Sequence, residues 1–214
     1  LIAQRGDRLA LHLGRTKSHA GFELDFLFLV RLDEDGRFDR FENFDREDLA
    51  AAVARLDELY LEGEGAPHAS ILRPLGVLVA AAGSRDASGW EASLAGDAVV
   101  VDHRMSVRQE FDRNAGPDTV RAPGQVAGEG VAWIPYFDRL VDEGGIGPVV
   151  QRSTSLEGVD AEWVSIGVSL LEAGRITHME IFEDDGLEVA VARFDELVAD
   201  HNVSEETPGA PDRR

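Results

Sequence analysis

Two pairs of acid and base residues could carry out proton transfer. Asp102 and His103 are adjacent in an apolar segment that predicts a strand, and His178 and Glu180 lie two residues apart in another. Adjacent strand residues face opposite sides of a sheet, so only one of Asp102 and His103 can face a given pocket, and the two cannot bind one metal ion together. His178 and Glu180 share a face, which suits proton abstraction next to a carbonyl group. For Asp102 and His103 the alternative is structural, with Arg104 and nearby backbone as partners.

The sequence repeats itself, and the repeat bears on the second pair. Residues 36–44 and 49–59 return as residues 174–182 and 187–197, with about half of the positions identical. Glu42 occupies the position of Glu180, but Arg40 replaces His178. A glutamate kept in both copies is expected to be a structural partner first, and the arginines Arg37 and Arg175 are its expected partners.

The repeat also predicts the domain organisation. Residues 1–62 would be the C-terminal half of a first unit, 63–67 a linker, 68–202 a complete second unit and 203–214 a disordered tail. The chain starts inside an apolar stretch without methionine, which fits an excerpt from a longer polypeptide. We expect the half unit to expose an apolar face and to need the missing N-terminal part of the same polypeptide, or a partner.

Hydrophobic periodicity predicts the elements and their order. In the half unit, strands are expected near residues 9–13, 22–32 and 38–44, followed by a helix over 49–60. The second unit is predicted as a helix over 68–82 that Pro74 kinks or delays, a short helix capped by Asp86, a strand over 97–104, a helix over 129–143, strands over 149–156, 161–172 and 175–183, and a helix over 187–200. This order predicts an α+β fold in one and a half copies, in which a curved antiparallel sheet wraps on helices and leaves a cone-shaped cavity.

Aromatic residues of the second unit are candidates for the cavity wall. They are Trp133, Tyr136, Phe137, Trp163 and Phe182, and plain core packing is the alternative for them. The first helix of this unit offers no hydroxyl group to stabilise an oxyanion, although Tyr136 could substitute. The sequence shows no nucleophile triad, phosphate loop or metal-ligand spacing, so we predict neither a cofactor nor a metal ion.

Composition excludes several classes of partner. The chain has 214 residues and a formal net charge of −20, which argues against a nucleic-acid or anionic-membrane surface because such surfaces need clustered lysine and arginine. It contains no cysteine, and its longest apolar run is too short to span a bilayer. No signal peptide is visible, so the expected setting is cytoplasmic.

Three segments resemble a known superfamily. They are the Val99–Arg104 strand after a short tryptophan-bearing helix, the Asp35–Phe44 hairpin and the Tyr60–His68 joint. Together they resemble the nuclear transport factor 2-like superfamily, of cystatin-like fold, in its SnoaL-like branch. The resemblance covers residues 68–200 as a whole domain and 1–62 as a half. The joint and the tandem arrangement are similar to C-terminal repeats of large actinobacterial multidomain signalling proteins.

The resemblance implies a pocket without fixing a reaction, since this fold hosts isomerases, cyclases, hydrolases and non-catalytic binders. In ketosteroid-isomerase-like members an acid on the strand after the second helix is the general base, a place comparable to that of Asp102 or His103. SnoaL-type cyclases carry acid or base groups on late strands, as His178 and Glu180 would be.

The sequence thus favours a non-catalytic module of a larger bacterial signalling or regulatory protein, which binds a small, largely apolar ligand or mediates contacts. A homodimer through the sheet is a further expectation. The alternative is a SnoaL-type isomerase, cyclase or hydrolase that acts on a small apolar carbonyl substrate through Asp102, His103, His178 or Glu180.

Overall fold

The computed structural model describes residues 1–17, 19, 21–104, 109–112, 130–154 and 160–206. Two sheets run through it, one in each unit. The α+β architecture predicted from the sequence is confirmed.

The half unit is an antiparallel meander with one helix. Its strands are β1 (Ala3–Arg5), β2 (Leu9–Lys17), β3 (Glu23–Leu32) and β4 (Phe38–Asp45), and they lie in sequence order. Asp33 closes the β3–β4 turn, because its Oδ1 accepts hydrogen bonds from the backbone N–H groups of Asp35 and Arg37. A single 3-10 turn, Arg46–Asp48, leads into α1 (Leu49–Leu61), whose stripe Ala52, Leu56 and Leu59 is buried against the sheet.

Two helices open the second unit. Residues 62–68 connect α1 to α2 (Ala69–Ser84), and α3 (Ala87–Ser93) follows directly. Pro74 lies inside α2, which continues through it. Asp86 caps α3 as predicted, since its side chain accepts a hydrogen bond from the Ser88 N–H.

The larger sheet contains seven strands among the described residues. They are β5 (Leu94–Asp102), β6 (Gln109–Asp112), β7 (Gly130–Trp133), β8 (Arg139–Val141), β9 (Gly144–Thr154), β10 (Asp160–Glu172) and β11 (Arg175–Glu183). The order is β6-β5-β11-β10-β9-β7, and β8 pairs with β9. Strands β5 and β11 are parallel, whereas the other pairs are antiparallel. The chain then forms α4 (Leu187–Glu206).

Helices cover both faces of this sheet. We call the face under α2 and α3 the inner face; there Leu75, Leu78 and Trp90 pack with Met179 and Ile181 of β11. The opposite, outer face is covered by α4, whose Phe194 and Leu197 pack with Ile166, Val168 and Phe182. Alternate residues of β11 therefore contribute to two separate cores.

The helix predicted over residues 129–143 is wrong. Residues 130–133 and 139–141 are the strands β7 and β8, both paired with β9. The apolar residues that suggested a helical stripe fit two short strands equally well, and Pro135 between them cannot continue a helix without losing a hydrogen bond. Tyr136 accordingly lies in a connection between strands and not on a helix.

The chain end also differs from the prediction. The closing helix was expected to stop at Asp200 and a disordered tail to start at residue 203, but α4 continues to Glu206. Residues 207–214 lie outside the described residues. Strand β5 begins at Leu94, before the predicted start at residue 97, and ends at Asp102.

The two units share a hydrophobic core. Trp133 and Val150 of the complete unit belong to the same buried cluster as Leu11 and Leu56 of the half unit. The backbone is joined as well, because the Gln4 N–H donates to the Pro135 carbonyl at 2.7 Å. The half unit thus packs against β7 and β9 of the complete unit.

Candidate functional site

Three basic groups converge on Glu180, a carboxylate that is 1% exposed. His103 Nε2 lies 2.6 Å from Oε2 and His178 Nε2 lies 2.7 Å from Oε1, while Arg193 on α4 donates from Nε to Oε1 at 3.0 Å. Burial opposes ionisation of Glu180, but these hydrogen bonds outweigh it and lower its pKa to about 2. The structure thus brings together three of the four predicted acid and base residues.

This cluster lies on the outer face of the sheet. His178 and Glu180 share the face of Phe182, which packs under α4, and the His103 ring stacks on Phe182 with a centroid distance of 4.4 Å. The inner face of β11 is formed by other residues, among them Met179 and Ile181. The cluster and the inner face are therefore separated by the sheet itself.

The first copy of the repeat contains part of this arrangement. Glu42 accepts hydrogen bonds from Arg40 at 2.8 Å and from Arg55 on α1 at 3.2 Å. Arg55 stands where Arg193 stands in the second copy, at the same offset of 138 residues that relates Glu42 to Glu180. In each copy a buried or half-buried glutamate links a strand to the helix that follows it.

The expected partners of these glutamates were Arg37 and Arg175, and that prediction is wrong. Arg37 donates to Asp35 within its own turn at 2.8 Å, and Arg175 donates to the Leu94 carbonyl at 3.2 Å. Both arginines follow a turn glycine directly, so Arg37 lies just before β4 and Arg175 at the start of β11, several residues before the glutamate in each case.

Asp102 faces the other way from His103. It alternates with Ala98 and Val100 on the inner face of β5 and is 1% exposed. Arg104, also buried, donates from Nη2 to Oδ2 at 2.6 Å and from Nε to Oδ1 at 2.9 Å. The backbone N–H of Arg104 donates to Oδ1 as well, at 3.0 Å. The carboxylate is therefore held by a charge-assisted fork within its own strand end.

A cavity of about 60 Å³ lies between α2, α3 and the inner face, as the predicted cone requires. Its wall includes the apolar residues Leu75, Leu78, Val79, Trp90, Ile134, Phe137, Met179 and Ile181. The polar side chains among the described lining residues are Gln151, Ser165 and Ser169. Within that described wall there is no carboxylate, imidazole or phenol group, so the wall offers hydroxyl and amide hydrogen bonds but no ionisable acid or base.

The predicted pocket residues separate in the structure. Phe137 lines the cone cavity. Trp133 packs into the core shared with the half unit, and Tyr136 is 47% exposed. Trp163 borders a separate pocket of about 10 Å³, and Phe182 is buried on the outer face.

A larger cleft lies at the joint of the two units, with a volume of about 620 Å³. Helices α1 and α2 form its sides, and β7 with Trp133 forms its floor. Arg5, Asp57 and Tyr60 border it, and no local sequence pattern indicates a binding site at these residues because the cleft joins segments from both copies. The sequence feature that could have indicated the cleft is a set of small residues on the two helices, namely Ala50, Ala54, Gly76 and Ala80.

One face of the half unit is apolar and exposed. Phe38 is 79% exposed and Phe41 56%, whereas their counterparts at the same offset, Ile176 and Met179, are 0% and 6% exposed. His12, Phe28 and Phe41 stack across three strands of this face, with centroid distances of 5.0 and 5.6 Å. In the complete unit the equivalent face carries α2 and α3.

Solved structures with a similar architecture include the following three proteins. A Mycobacterium tuberculosis protein in complex with estradiol-17beta-hemisuccinate aligns with a TM-score of 0.42 and 18% identity, over 54% of this chain and 94% of that chain. A nuclear transport factor 2-like protein of unknown function from Burkholderia pseudomallei has a TM-score of 0.38 and 19% identity, over 54% and 94%. A SnoaL-like protein from Jannaschia sp. CCS1 has a TM-score of 0.40 and 14% identity, over 58% and 92%.

The larger sheet, with helices on both faces, fits the cone-shaped α+β fold that the sequence predicts. At identities of 14–19% the likeness to these structures concerns the fold alone, and it assigns neither a superfamily nor a role to the chain. No family model and no curated protein matches the chain.

Two further findings concern the described residues only. No helix among them is long and apolar enough to cross a membrane. Nor do they contain a group of three or more histidine, aspartate or glutamate side chains placed to hold a metal ion.

Proposed function

We propose that this chain is a non-catalytic module of a larger bacterial signalling or regulatory protein, and that its complete unit binds a small, largely apolar ligand in the cone cavity. The observation that carries the proposal is the chemistry of the described cavity wall, which is apolar apart from one amide and two hydroxyl groups. Such a wall selects ligands by shape and apolar contact, with a few hydrogen bonds to orient them.

The positions of the acid and base candidates support a binding role. A general base must lie within hydrogen-bond reach of the proton that it abstracts. Glu180, His103 and His178 lie on the outer face, and a carboxylate with a pKa of about 2 is a weak base at neutral pH. Three of the four candidates thus contact one another on the face that α4 covers, and Glu180 links them to Arg193 of that helix.

The cavity volume bounds the ligand. About 60 Å³ corresponds to roughly four to six water-sized sites at about 10–15 Å³ each. Without rearrangement of α2 or α3, the cone therefore suits a molecule of a few non-hydrogen atoms.

Xenon and benzene are suitable probes for this proposal. We expect either to raise the thermal unfolding temperature of the chain by preferential binding to the folded state. Ala82→Leu should fill the cavity and remove the effect, whereas Ala92→Leu, at an exposed position of α3, should retain it. Equal responses from both variants, or none from the wild-type chain, would contradict binding in the cone.

One observation favours the enzyme alternative, an isomerase, cyclase or hydrolase for a small apolar carbonyl substrate. Asp102 lies on the inner face of the sheet, as a general base in the cone would have to. Its two oxygens are held by Arg104, so catalysis would require this fork to open. Turnover of a compound captured from cell extract, abolished by Asp102→Asn in a folded variant, would support this alternative over simple binding.

The exposed face of the half unit supports the interaction part of the proposal. Contiguous exposed apolar patches mark sites of association, and this face is exposed in the first copy although α2 and α3 cover its counterpart in the second. We propose that two copies of the chain associate through this sheet face.

A further inference from the structure

The cleft at the joint has the dimensions of a small-molecule site. Its volume of about 620 Å³ falls within the range of roughly 300–1,000 Å³ that such sites occupy. Small residues face it from both sides, with Ala50 and Ala54 on α1 and Gly76 and Ala80 on α2. Because these positions lack long side chains, the two helices leave space between them above β7.

An ion pair between the buried Arg5 and the half-buried Asp57 supplies the polar part of the cleft. Arg5 is 3% exposed, and its Nε donates to Asp57 Oδ1 at 2.7 Å. The guanidinium is also held by the Pro135 carbonyl at 3.3 Å and lies 5.3 Å from the Phe137 ring centroid. Asp57 keeps 35% of its side chain exposed, and Arg5 is bound to only one of its two carboxylate oxygens. The second oxygen can therefore accept a hydrogen bond from an occupant of the cleft.

The second copy shows what is particular to this pair. Its counterpart of Asp57 is Asp195, which pairs with Arg139, so both copies tie the terminal helix to a short edge strand. Arg139 and Asp195 are about half exposed, whereas the complete unit covers the pair of Arg5 and Asp57. Burial raises the pKa of Asp57, and the charge of Arg5 opposes that rise. The packing of one copy on the other thus converts a surface ion pair into a cavity group.

Charges near the rim indicate the ligand class. Arg73 and Glu58 both border the cleft and have opposite signs, and Arg5 balances Asp57. The positive and negative side chains that line the cleft balance, so the cleft does not favour an ionic ligand. We propose that the joint cleft is a second binding site, for a neutral, mostly apolar molecule that carries a hydroxyl donor for Asp57. This inference is independent of ligand binding in the cone.

Photo-cross-linking with 4-(hydroxymethyl)benzophenone tests the site on the whole chain. The probe is neutral, aromatic and carries one hydroxyl donor, and irradiation links its carbonyl carbon to a nearby C–H bond. We expect labels at cleft-lining positions of the two helices, such as Ala54, Leu61, Val77 and Ala80, as identified by fragmentation of the labelled peptides in mass spectrometry. Ala54→Leu and Ala80→Leu should abolish the labelling by filling the cleft, while Ala51→Leu, at an exposed position outside it, should not.

Affinity measurements test the role of Asp57. The hydroxymethyl probe should bind about tenfold more tightly than 4-methylbenzophenone, which lacks the donor, because hydrogen bonds to charged groups contribute roughly that much. Asp57→Asn keeps an acceptor for Arg5 but removes the negative charge. It should therefore reduce the difference in affinity between the hydroxymethyl probe and 4-methylbenzophenone. Equal affinities in the wild-type chain would overturn the assignment of Asp57.

The sites of labelling separate this inference from the others. Labels confined to the inner-face residues Leu78, Ala82 and Met179 would place the probe in the cone and overturn the cleft site. Labels confined to Phe38 and Phe41 would assign the binding to the exposed sheet face, with the same consequence. If xenon and benzene failed to bind in the cone, labelling of the cleft would still support this second site.

Discussion

Trp133 donates a hydrogen bond from its indole Nε1 to the backbone carbonyl of Ile2 at 3.2 Å. The contact crosses the joint between the units, and the same ring is buried in their shared core. A single side chain of β7 therefore combines an apolar and a polar link to the half unit.

Trp133→Ala should destabilise the whole chain by roughly 3–5 kcal/mol, the usual cost of truncating a buried tryptophan. Trp133→Phe should cost less because it keeps most of the apolar contact and loses the hydrogen bond. Urea denaturation followed by circular dichroism measures both changes. If Trp133→Ala unfolded at the wild-type midpoint, the joint would not contribute to stability.

The lowered pKa of Glu180 predicts that the stability of the folded chain depends on pH. Its pKa falls from an ordinary 4.5 to about 2 in the folded chain, so its contribution to stability is complete above about pH 4.5 and is lost as the pH falls towards 2. The contribution is on the order of 3 kcal/mol, from about 1.4 kcal/mol per unit of pKa.

The pH dependence can be assigned with a matched pair of variants. Glu180→Gln should lower stability at pH 7 and flatten the profile of unfolding free energy between pH 4.5 and 2. Glu196→Gln, an exposed partner of the same Arg193, should leave the profile nearly unchanged. A profile that kept its slope without Glu180 would assign the acid sensitivity to other groups.

Local patterns predicted much of the fold. The alternating residues of β3 and β4, the turn at Gly36 and the stripe of α1 are all local signals, and the repeat transfers them to β10, β11 and α4. The helix predicted over residues 129–143 was wrong because short apolar runs are compatible with both helices and strands. Its hydrogen bonds come from β9, a partner that the segment itself does not specify.

The sequence identified the residues of the acid and base site but not their arrangement in space. His103 and Glu180 are 77 residues apart, and they meet because β5 and β11 pair in parallel with Val101 opposite Glu180. Residue spacing showed that His178 and Glu180 share a face. Which face that is depends on where α2, α3 and α4 pack, and the joint cleft depends similarly on how two copies pack together.

Asp102 and Arg104 make a prediction about buried charge. Asp102→Ala should destabilise the chain by roughly 3–5 kcal/mol, because it removes the carboxylate to which the buried Arg104 guanidinium donates. The double variant Asp102→Leu with Arg104→Met should recover much of that loss. Thermal and urea unfolding of the three chains would measure this, and a tolerated Asp102→Ala would argue against a structural role for the pair.

The exposed sheet face makes the last prediction, which concerns association. Phe41 is 56% exposed and stacks with Phe28 in the middle of this face, so Phe41→Ser should weaken self-association of the chain. Val189→Ser is the control, because Val189 is 64% exposed on α4, away from that face. Sedimentation velocity over a range of concentrations would show a shift towards monomer for Phe41→Ser alone. A wild-type chain that stays monomeric throughout, or equal association of both variants, would exclude a homodimer through this sheet.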